Sequence, residues 1–314
     1  MRVLVTGGAG FIGSNLVHAL LSGRHEVAIV DDFSTGSMGN VHPGARLVRM
    51  DILDPALAGA VADFAPDTVV HLAAQTDVTR SIADPVHDRA VNVDGTVAVA
   101  KAAASAGARR ILSASSAAVY GPPESLPLRE DAPKHPANPY GCSKLAAESA
   151  LAEALQGTGV DFASMRFANV YGPRQDWRGE GGVVAIFSGK LAAGERPVIY
   201  GDGMQTRDFI FVGDVVAFIV AALESDAPLA GPLPDGPAYN VSTGSGTSVL
   251  QIAMYLNATS RVMKQSEFRD AREGDVPASS LDPAKAHVAL DWEAVQPIEN
   301  GLAFTWRWMC ANLS

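Results

Sequence analysis

The stretch "RVLVTGGAGFIGSNLVHALLSG", residues 2–23, decides the fold. Its first part, residues 2–7, is a short apolar run rich in valine and reads as a buried strand. Residues 14–23 carry apolar side chains at helical spacing and end on Gly23, a residue suited to a helix C-terminus. Between them lies a glycine turn. Read from Gly8 it is G-x-G-x-x-G; read from Gly7 it is G-x-x-G-x-x-G. Glycines at Gly7, Gly10 and Gly13 permit a tight turn and close backbone approach to a pyrophosphate. Phe11 and Ile12 open the helix whose free N–H groups and positive end suit that anion.

The next strand, "HEVAIVDD" (25–32), ends at Asp31. A carboxylate there accepts hydrogen bonds from ribose hydroxyls and repels a 2′-phosphate. The following Asp32-Phe33-Ser34 supplies no arginine to offset that repulsion. The cofactor expected is therefore NAD rather than NADP. Asp51 and Ile52, closing the run "ARLVRMDI" (45–52), either flank an adenine or are a strand end and a core isoleucine.

Outward from this unit the alternation continues. "TVVHLAA" (68–74) and "RRILSAS" (109–115) read as further strands. Residues 92–108 and 139–159 read as alanine-rich helices. The order implies a parallel sheet covered on both faces. From about Ala168 the pattern loosens, with Gly- and Pro-rich segments at 172–182, 201–203 and 228–237. The division expected is a dinucleotide lobe over 1–168 and a smaller lobe over 169–314. Residues 205–225, which include a predicted helix at 214–225, return to the first lobe.

The 314 residues are 47% hydrophobic, ample for a large core. Lysine and arginine number 24 against 34 acidic residues, a formal charge of −10, which argues against nucleic acid as a partner. Cys142 and Cys310 are too few for a disulfide framework or a zinc site, so no metal and a reducing cytoplasm are expected. The N-terminus reaches glycine too early for a signal peptide, and no apolar run approaches the roughly 18 residues of a membrane span.

Tyr140-Gly141-Cys142-Ser143-Lys144 puts a phenol and an ammonium at i and i+4 on one helix face. A free phenol, with a pKa near 10, is a poor base at neutral pH. A neighbouring ammonium and a cationic nicotinamide stabilise phenolate, and the pair then moves a proton to or from a hydroxyl.

Together, TGGAGFIG, the Ser115-Ser116 strand end, Tyr140-x-x-x-Lys144, "RFANVYGPRQ" (166–175) and "GDGMQTRDFIFVGDV" (201–215) resemble the extended short-chain dehydrogenases/reductases. Within that family the chain looks most like the nucleotide-sugar 4-epimerases. The resemblance implies an α/β fold: a Rossmann-type doubly wound parallel sheet with a smaller C-terminal substrate-binding lobe. It implies Ser116, Tyr140 and Lys144 as the catalytic residues, with Ser116 bonding the sugar O4. Ala73 and Ala74 would border the NAD, with Asn92 near it. Asn169, Arg207 and Arg272 would meet the sugar diphosphate, and Asp275 the uridine ribose. Val183 and the backbone of Val198 to Tyr200 would meet the uracil. Each arginine taken alone could equally be a surface ion pair. The family also implies a homodimer, with helices 92–108 and 139–157 forming a four-helix bundle.

Two alanines narrow the reaction. In the related 4,6-dehydratases this stretch resembles T-D-E-V-Y, whose acids serve elimination. The related decarboxylases also carry a glutamate at the second position. Here those positions are Ala117 and Ala118, and a methyl group moves no proton. Oxidation and reduction at one carbon remain. Ser279, after Arg272-Glu273-Gly274-Asp275, falls where a bulky residue narrows the sugar pocket in some relatives, which implies room for a substituent. Arg174 and Arg178 are candidates for a C6 carboxylate, and Thr76 and Ser115 for the sugar pocket. The sugar expected is UDP-glucuronate, with UDP-glucose and UDP-N-acetylglucosamine as alternatives. A dinucleotide-binding sensor without catalysis is the alternative of another class.

Overall fold

The computed structural model describes residues 1–178, 181–230, 236–262, 264–271 and 276–313. The first half alternates as read: β1 (Arg2–Thr6), α1 (Phe11–Ser22), β2 (Glu26–Asp31), β3 (Arg46–Arg49), α2 (Leu57–Phe64) and β4 (Thr68–His71). Two short helices follow, α3 (Val78–Ala83) and α4 (Pro85–Arg89), then α5 (Gly95–Ser105), β5 (Arg110–Ser116), α6 (Pro139–Leu155) and β6 (Asp161–Phe167). The second half opens with β7 (Asn169–Tyr171), α7 (Val183–Ala192), β8 (Val198–Tyr200), β9 (Thr206–Arg207), β10 (Phe209–Phe211) and α8 (Val212–Glu224). It closes with β11 (Ala238–Val241), β12 (Thr247–Ser248), α9 (Val249–Ser260), β13 (Glu267–Arg269), β14 (Ala278–Ser279), α10 (Ala284–Leu290) and α11 (Ile298–Asn312).

The main sheet runs β11-β6-β5-β4-β1-β2-β3 and is parallel throughout. This is the doubly wound order, with its reversal between β1 and β4. Helices cover both faces. Leu16, Val17 and Leu20 of α1 meet Val215, Phe218 and Ile219 of α8 on one side. Val61, Phe64, Val99, Ala103, Leu151 and Leu155 pack from α2, α5 and α6 on the other. Burial on both faces is why the interior positions of β1 (Val3, Leu4, Val5) and β4 (Val69, Val70) are all apolar.

Several elements differ from the sequence reading, among them the end of β3, the helix after α4 and a strand after α8. β3 stops at Arg49, because the Asp51 side chain accepts the Leu53 N–H and turns the chain. The helix expected over 92–108 begins as a π-helical turn, Ala90–Asp94, before α5. Residues 238–241 pair with β6 and extend the sheet, a strand the sequence analysis did not assign.

The second lobe is made of short strands brought together from far apart. β10 pairs with β7, β13 with β8, and β9 lies between β12 and β14. Its own core joins Val184, Phe187 and Leu191 to Ile252, Leu256 and Leu302. Asp208, buried, ties these segments. Its carboxylate accepts the Thr243 N–H (2.9 Å) and hydroxyl (2.7 Å), the Gly244 N–H (3.0 Å) and the Leu281 N–H (3.3 Å). No helix among the described residues is long and apolar enough to cross a membrane.

Candidate active site

Because the sheet is parallel, the C-terminal ends of its strands share one edge, and the candidate residues collect there. Gly7 adopts φ +70°, and a Cβ on it would sit 2.7 Å from the Ala73 nitrogen. A Cβ on Gly13 would collide with the Gly7 carbonyl oxygen. The loop thus accepts no side chains at these points. Gly10 offers no side-chain cap to α1, and no acid lies in its first turn. The helix end at Phe11 and Ile12 is therefore available to an anion. Asp31 accepts the Ala9 N–H and the Phe33 N–H, both at 2.9 Å, which fixes the loop to the end of β2. Burial raises its pKa, and the two N–H groups oppose that rise. Its remaining lone pairs suit hydroxyl donors. The cradle fits a dinucleotide.

Asp51 is exposed, whereas Ile52 is buried, close against Gly95 of α5. Ala73 and Ala74 are half-buried at the exit of β4. Ala73 donates its N–H to the Thr6 hydroxyl (3.2 Å). Behind it, His71 joins Thr6 through Nδ1 (2.7 Å) and Thr96 through Nε2 (3.0 Å). The Thr96 hydroxyl donates to the Asn92 carbonyl at 2.6 Å, so it accepts from His71 Nε2–H, and Nδ1 accepts from Thr6. Burial and the nearby Lys144 charge push the imidazole down to about 3, so it is neutral.

The π-helical turn carries Asn92 inward, and protein groups occupy its amide. Oδ1 accepts the Gln75 N–H (2.9 Å). Nδ2 donates to the Gln75 carbonyl (3.0 Å), Ser143 Oγ (3.0 Å) and Asp88 Oδ1 (3.3 Å). Asn92 thereby ties the end of β4 to α6. Thr76, just beyond, is exposed.

The end of β5 divides two serines. Ser116 heads the 3-10 turn Ala117–Val119, accepts the Ala118 N–H (3.2 Å) and hydrogen-bonds the Tyr140 phenol. Ser115 points to the other face and donates to Glu148 Oε1 at 2.5 Å, as strand alternation requires. α6 starts against this turn: Asn138 caps it through the Gly141 N–H (2.8 Å), and a Cβ on Gly141 would stand 2.6 Å from the Ala118 carbonyl oxygen. That close approach sets Tyr140 beside Ser116.

Burial raises the Tyr140 pKa, and the Ser116 hydrogen bond opposes that rise. Lys144, one turn on, is buried and donates to the Ala114 carbonyl (3.1 Å); burial pushes it down to about 8. One turn further, Glu148 is gripped by Arg166, Nε at 2.9 Å and a terminal nitrogen at 2.7 Å. Glu148 lies on the Tyr140–Lys144 stripe, and that i+4 spacing was its one signal in the sequence. His71, Arg166 and Asp208 had none, because their partners are remote, and Asp88, one turn before Asn92, was passed over.

In the second lobe, Arg207 and Ser279 stand opposite each other in the β9–β14 register. Asn169 leads β7 and donates its N–H to the Asp208 carbonyl (2.8 Å). Val183 is the first residue of α7, and Val198 and Tyr200 bracket β8. Arg174, at φ +71°, reaches Asn15 Oδ1 (3.3 Å) and His18 Nε2 (3.1 Å) on α1. Arg178 is exposed, its guanidinium 5.8 Å from the Trp177 ring centre. Arg272 and Asp275 lie outside the described residues.

Comparison with known proteins agrees with this geometry. Residues 3–241 match the profile of the NAD dependent epimerase/dehydratase family. The chain is 43% identical over 311 residues to a UDP-glucose 4-epimerase of Mycolicibacterium smegmatis, covering 97% of each chain. Among solved structures it is similar to the UDP-glucose 4-epimerase of Thermotoga maritima with UDP-glucose, with a TM-score of 0.93, 34% identity and 100% of both chains covered. It is also similar to the Thermus thermophilus UDP-glucose 4-epimerase in complex with NAD, with a TM-score of 0.90 and 37% identity, covering 99% of this chain and 100% of that one.

Proposed function

The chain belongs to the NAD dependent epimerase/dehydratase family, and from that premise we propose that it inverts C4 of a UDP-sugar, with UDP-glucose as the substrate. The observation that carries the reading is the Ser116–Tyr140 hydrogen bond with Lys144 one turn away, at a strand end where Ala117 and Ala118 supply no acid.

Gly7, Gly10, Gly13 and the α1 terminus hold the pyrophosphate of NAD, and Asp31 its adenosine ribose. NAD held there would supply a reversible hydride acceptor for C4. Ser116 orients the O4 hydroxyl, and Tyr140 takes its proton. Lys144 stabilises the phenolate electrostatically. Arg207 holds the diphosphate with a planar guanidinium while the 4-keto sugar turns over, and Tyr140 gives the proton back. Without a carboxylate at 117 or 118, the intermediate is offered no assistance toward elimination or loss of carbon dioxide.

A neutral sugar is the reading favoured here: Arg174, a candidate for a uronate carboxylate, is engaged by Asn15 and His18 of α1, and Arg178, the other candidate, is exposed beside Trp177. UDP-N-acetylglucosamine is the second reading, favoured by the small Ser279 opposite Arg207. A homodimer through α5 and α6, which pack on each other, belongs to the same reading. The test incubates the protein separately with UDP-glucose, UDP-N-acetylglucosamine and UDP-glucuronate, without added cofactor, and follows C4 by NMR. UDP-glucose is expected to yield UDP-galactose. No inversion of any of the three, with NAD still bound, would favour the sensor.

A further inference from the structure

Lys144 is a cation in a costly place. It is 5% exposed, and among the described residues its ammonium stands within ion-pair distance of no carboxylate. A buried amine without support from an opposite charge loses its proton readily. Two carboxylates oppose that loss, Asp88 the more and Glu148 the less.

The two are not equivalent. Glu148 is already matched, because Arg166 binds both of its oxygens and Ser115 adds a hydroxyl. As a unit that pair is neutral. Asp88 is 1% exposed, and its hydrogen bonds come from neutral amides, Gln75 Nε2 (2.7 Å) and Asn92 Nδ2 (3.3 Å). Among the described residues it meets no cation within ion-pair distance. Burying such a carboxylate is costly, and a nearby positive charge offsets part of that cost. α4, which bears it, packs on α6. Asn92, which donates to Asp88, also donates to Ser143, the residue before Lys144.

We propose that the buried Asp88 carboxylate is the counter-charge of the Lys144 ammonium, and so a positioning residue that sets the pH window in which Lys144 and Tyr140 work together. The other groups facing Lys144 do not replace it. Tyr140 and Glu148 lie on its own helix, and Arg166 faces it through Glu148. His71 from β4 is neutral. Arg80, His87, Arg89, Asp94 and Lys101, on α3, α4, the π-helical turn and α5, are exposed or partly so.

The sign is specific. Removing an anion withdraws support from the ammonium, which then loses its proton at lower pH. It also withdraws repulsion from the phenolate, so Tyr140 ionises at lower pH as well. Both limbs of the pH–activity curve move in the acid direction. A residue that only filled space would lower the plateau and leave the limbs in place.

The experiment uses the holoprotein with 15N-labelled lysine and follows the Lys144 amine by NMR, assigned by its loss in Lys144→Arg. Wild type is expected to titrate near 8. Asp88→Asn is expected to titrate about one pH unit lower or more, and Asp88→Glu close to wild type. The paired Glu148→Gln/Arg166→Met variant removes a neutral unit and is expected to move the midpoint little. Asp88→Ser is the second variant should the asparagine not seat. The pH–activity curve of Asp88→Asn moves with the amine. An unmoved Lys144 midpoint in folded Asp88→Asn or Asp88→Ser, or an equal shift in the paired variant, overturns the proposal. Only the activity arm rests on the epimerase reading. Absence of turnover in wild type would sink that reading, while the amine titration would still decide this one.

Discussion

Gly7, Asp31, His71 and Ser116 lie at the ends of four neighbouring parallel strands. Arg207 and Ser279 lie on two-residue strands gathered from distant parts of the chain. The first set is held by a sheet whose every strand pairs along its length. The second depends on single buried polar groups, above all Asp208, which tethers the 243–244 loop and Leu281 to β10. One region therefore tolerates loss of a functional side chain without loss of fold, and the other does not separate the two so cleanly.

The largest expected effect is in the sheet lobe. Tyr140→Phe should lower turnover by about 10²–10⁴-fold, the range for a lost general base. Its thermal unfolding midpoint should stay close to wild type, since the ring remains. A comparable fall in stability would break the contrast between the lobes. Next, Arg207→Ala should raise KM for the UDP-sugar by about tenfold to a hundredfold, with a smaller change in kcat, because a diphosphate clamp acts in ground and transition states alike. Steady-state kinetics with UDP-glucose would read the split.

Asp208→Asn should cost about 1–3 kcal/mol in urea unfolding, since one acceptor of buried N–H groups becomes a donor. Hydrogen exchange should rise first at 243–244 and 281, not in β1 or β4. The last effect, confined to acid pH, sharpens the sheet-lobe side. His71 titrates near 3 when folded against 6.5 unfolded, so the unfolded chain takes the proton first. Its contribution is complete above pH 6.5 and is lost as pH falls from 6.5 toward 3, by at most about 1.4 kcal/mol per pH unit. His71→Gln should flatten that part of the stability curve.

Much of the sheet lobe was legible because its signals are local. The strand, glycine turn and helix of residues 2–23 are contiguous, and Tyr140 and Lys144 are one helical turn apart. Helix 92–108 was read without its π-helical turn, since nothing in periodicity marks one inserted residue. Ser115 and Ser116 were both taken for the sugar pocket, yet neighbours on a strand face opposite ways. Arg174 was taken for a substrate ligand, and its contacts with Asn15 and His18 on α1 had no signal in the sequence. β11 was missed because four residues after a Gly-Pro-rich segment, one of them the polar Asn240, carry no sign of which sheet they join.

The amino-acid sequence alone determined the dinucleotide loop, the preference for NAD, the Tyr140–Lys144 pair and the absence of an acid at Ala117 and Ala118. Each is a matter of residue identity at fixed local spacing, which strand and helix periodicity convert directly into geometry. Only the tertiary structure decided that Ser116 rather than Ser115 meets Tyr140, that Glu148 is cancelled by Arg166, and that Asp88 is left uncancelled. Those outcomes depend on burial and on charges from segments far apart in the chain, and the strength of a charge is set by what surrounds it in space.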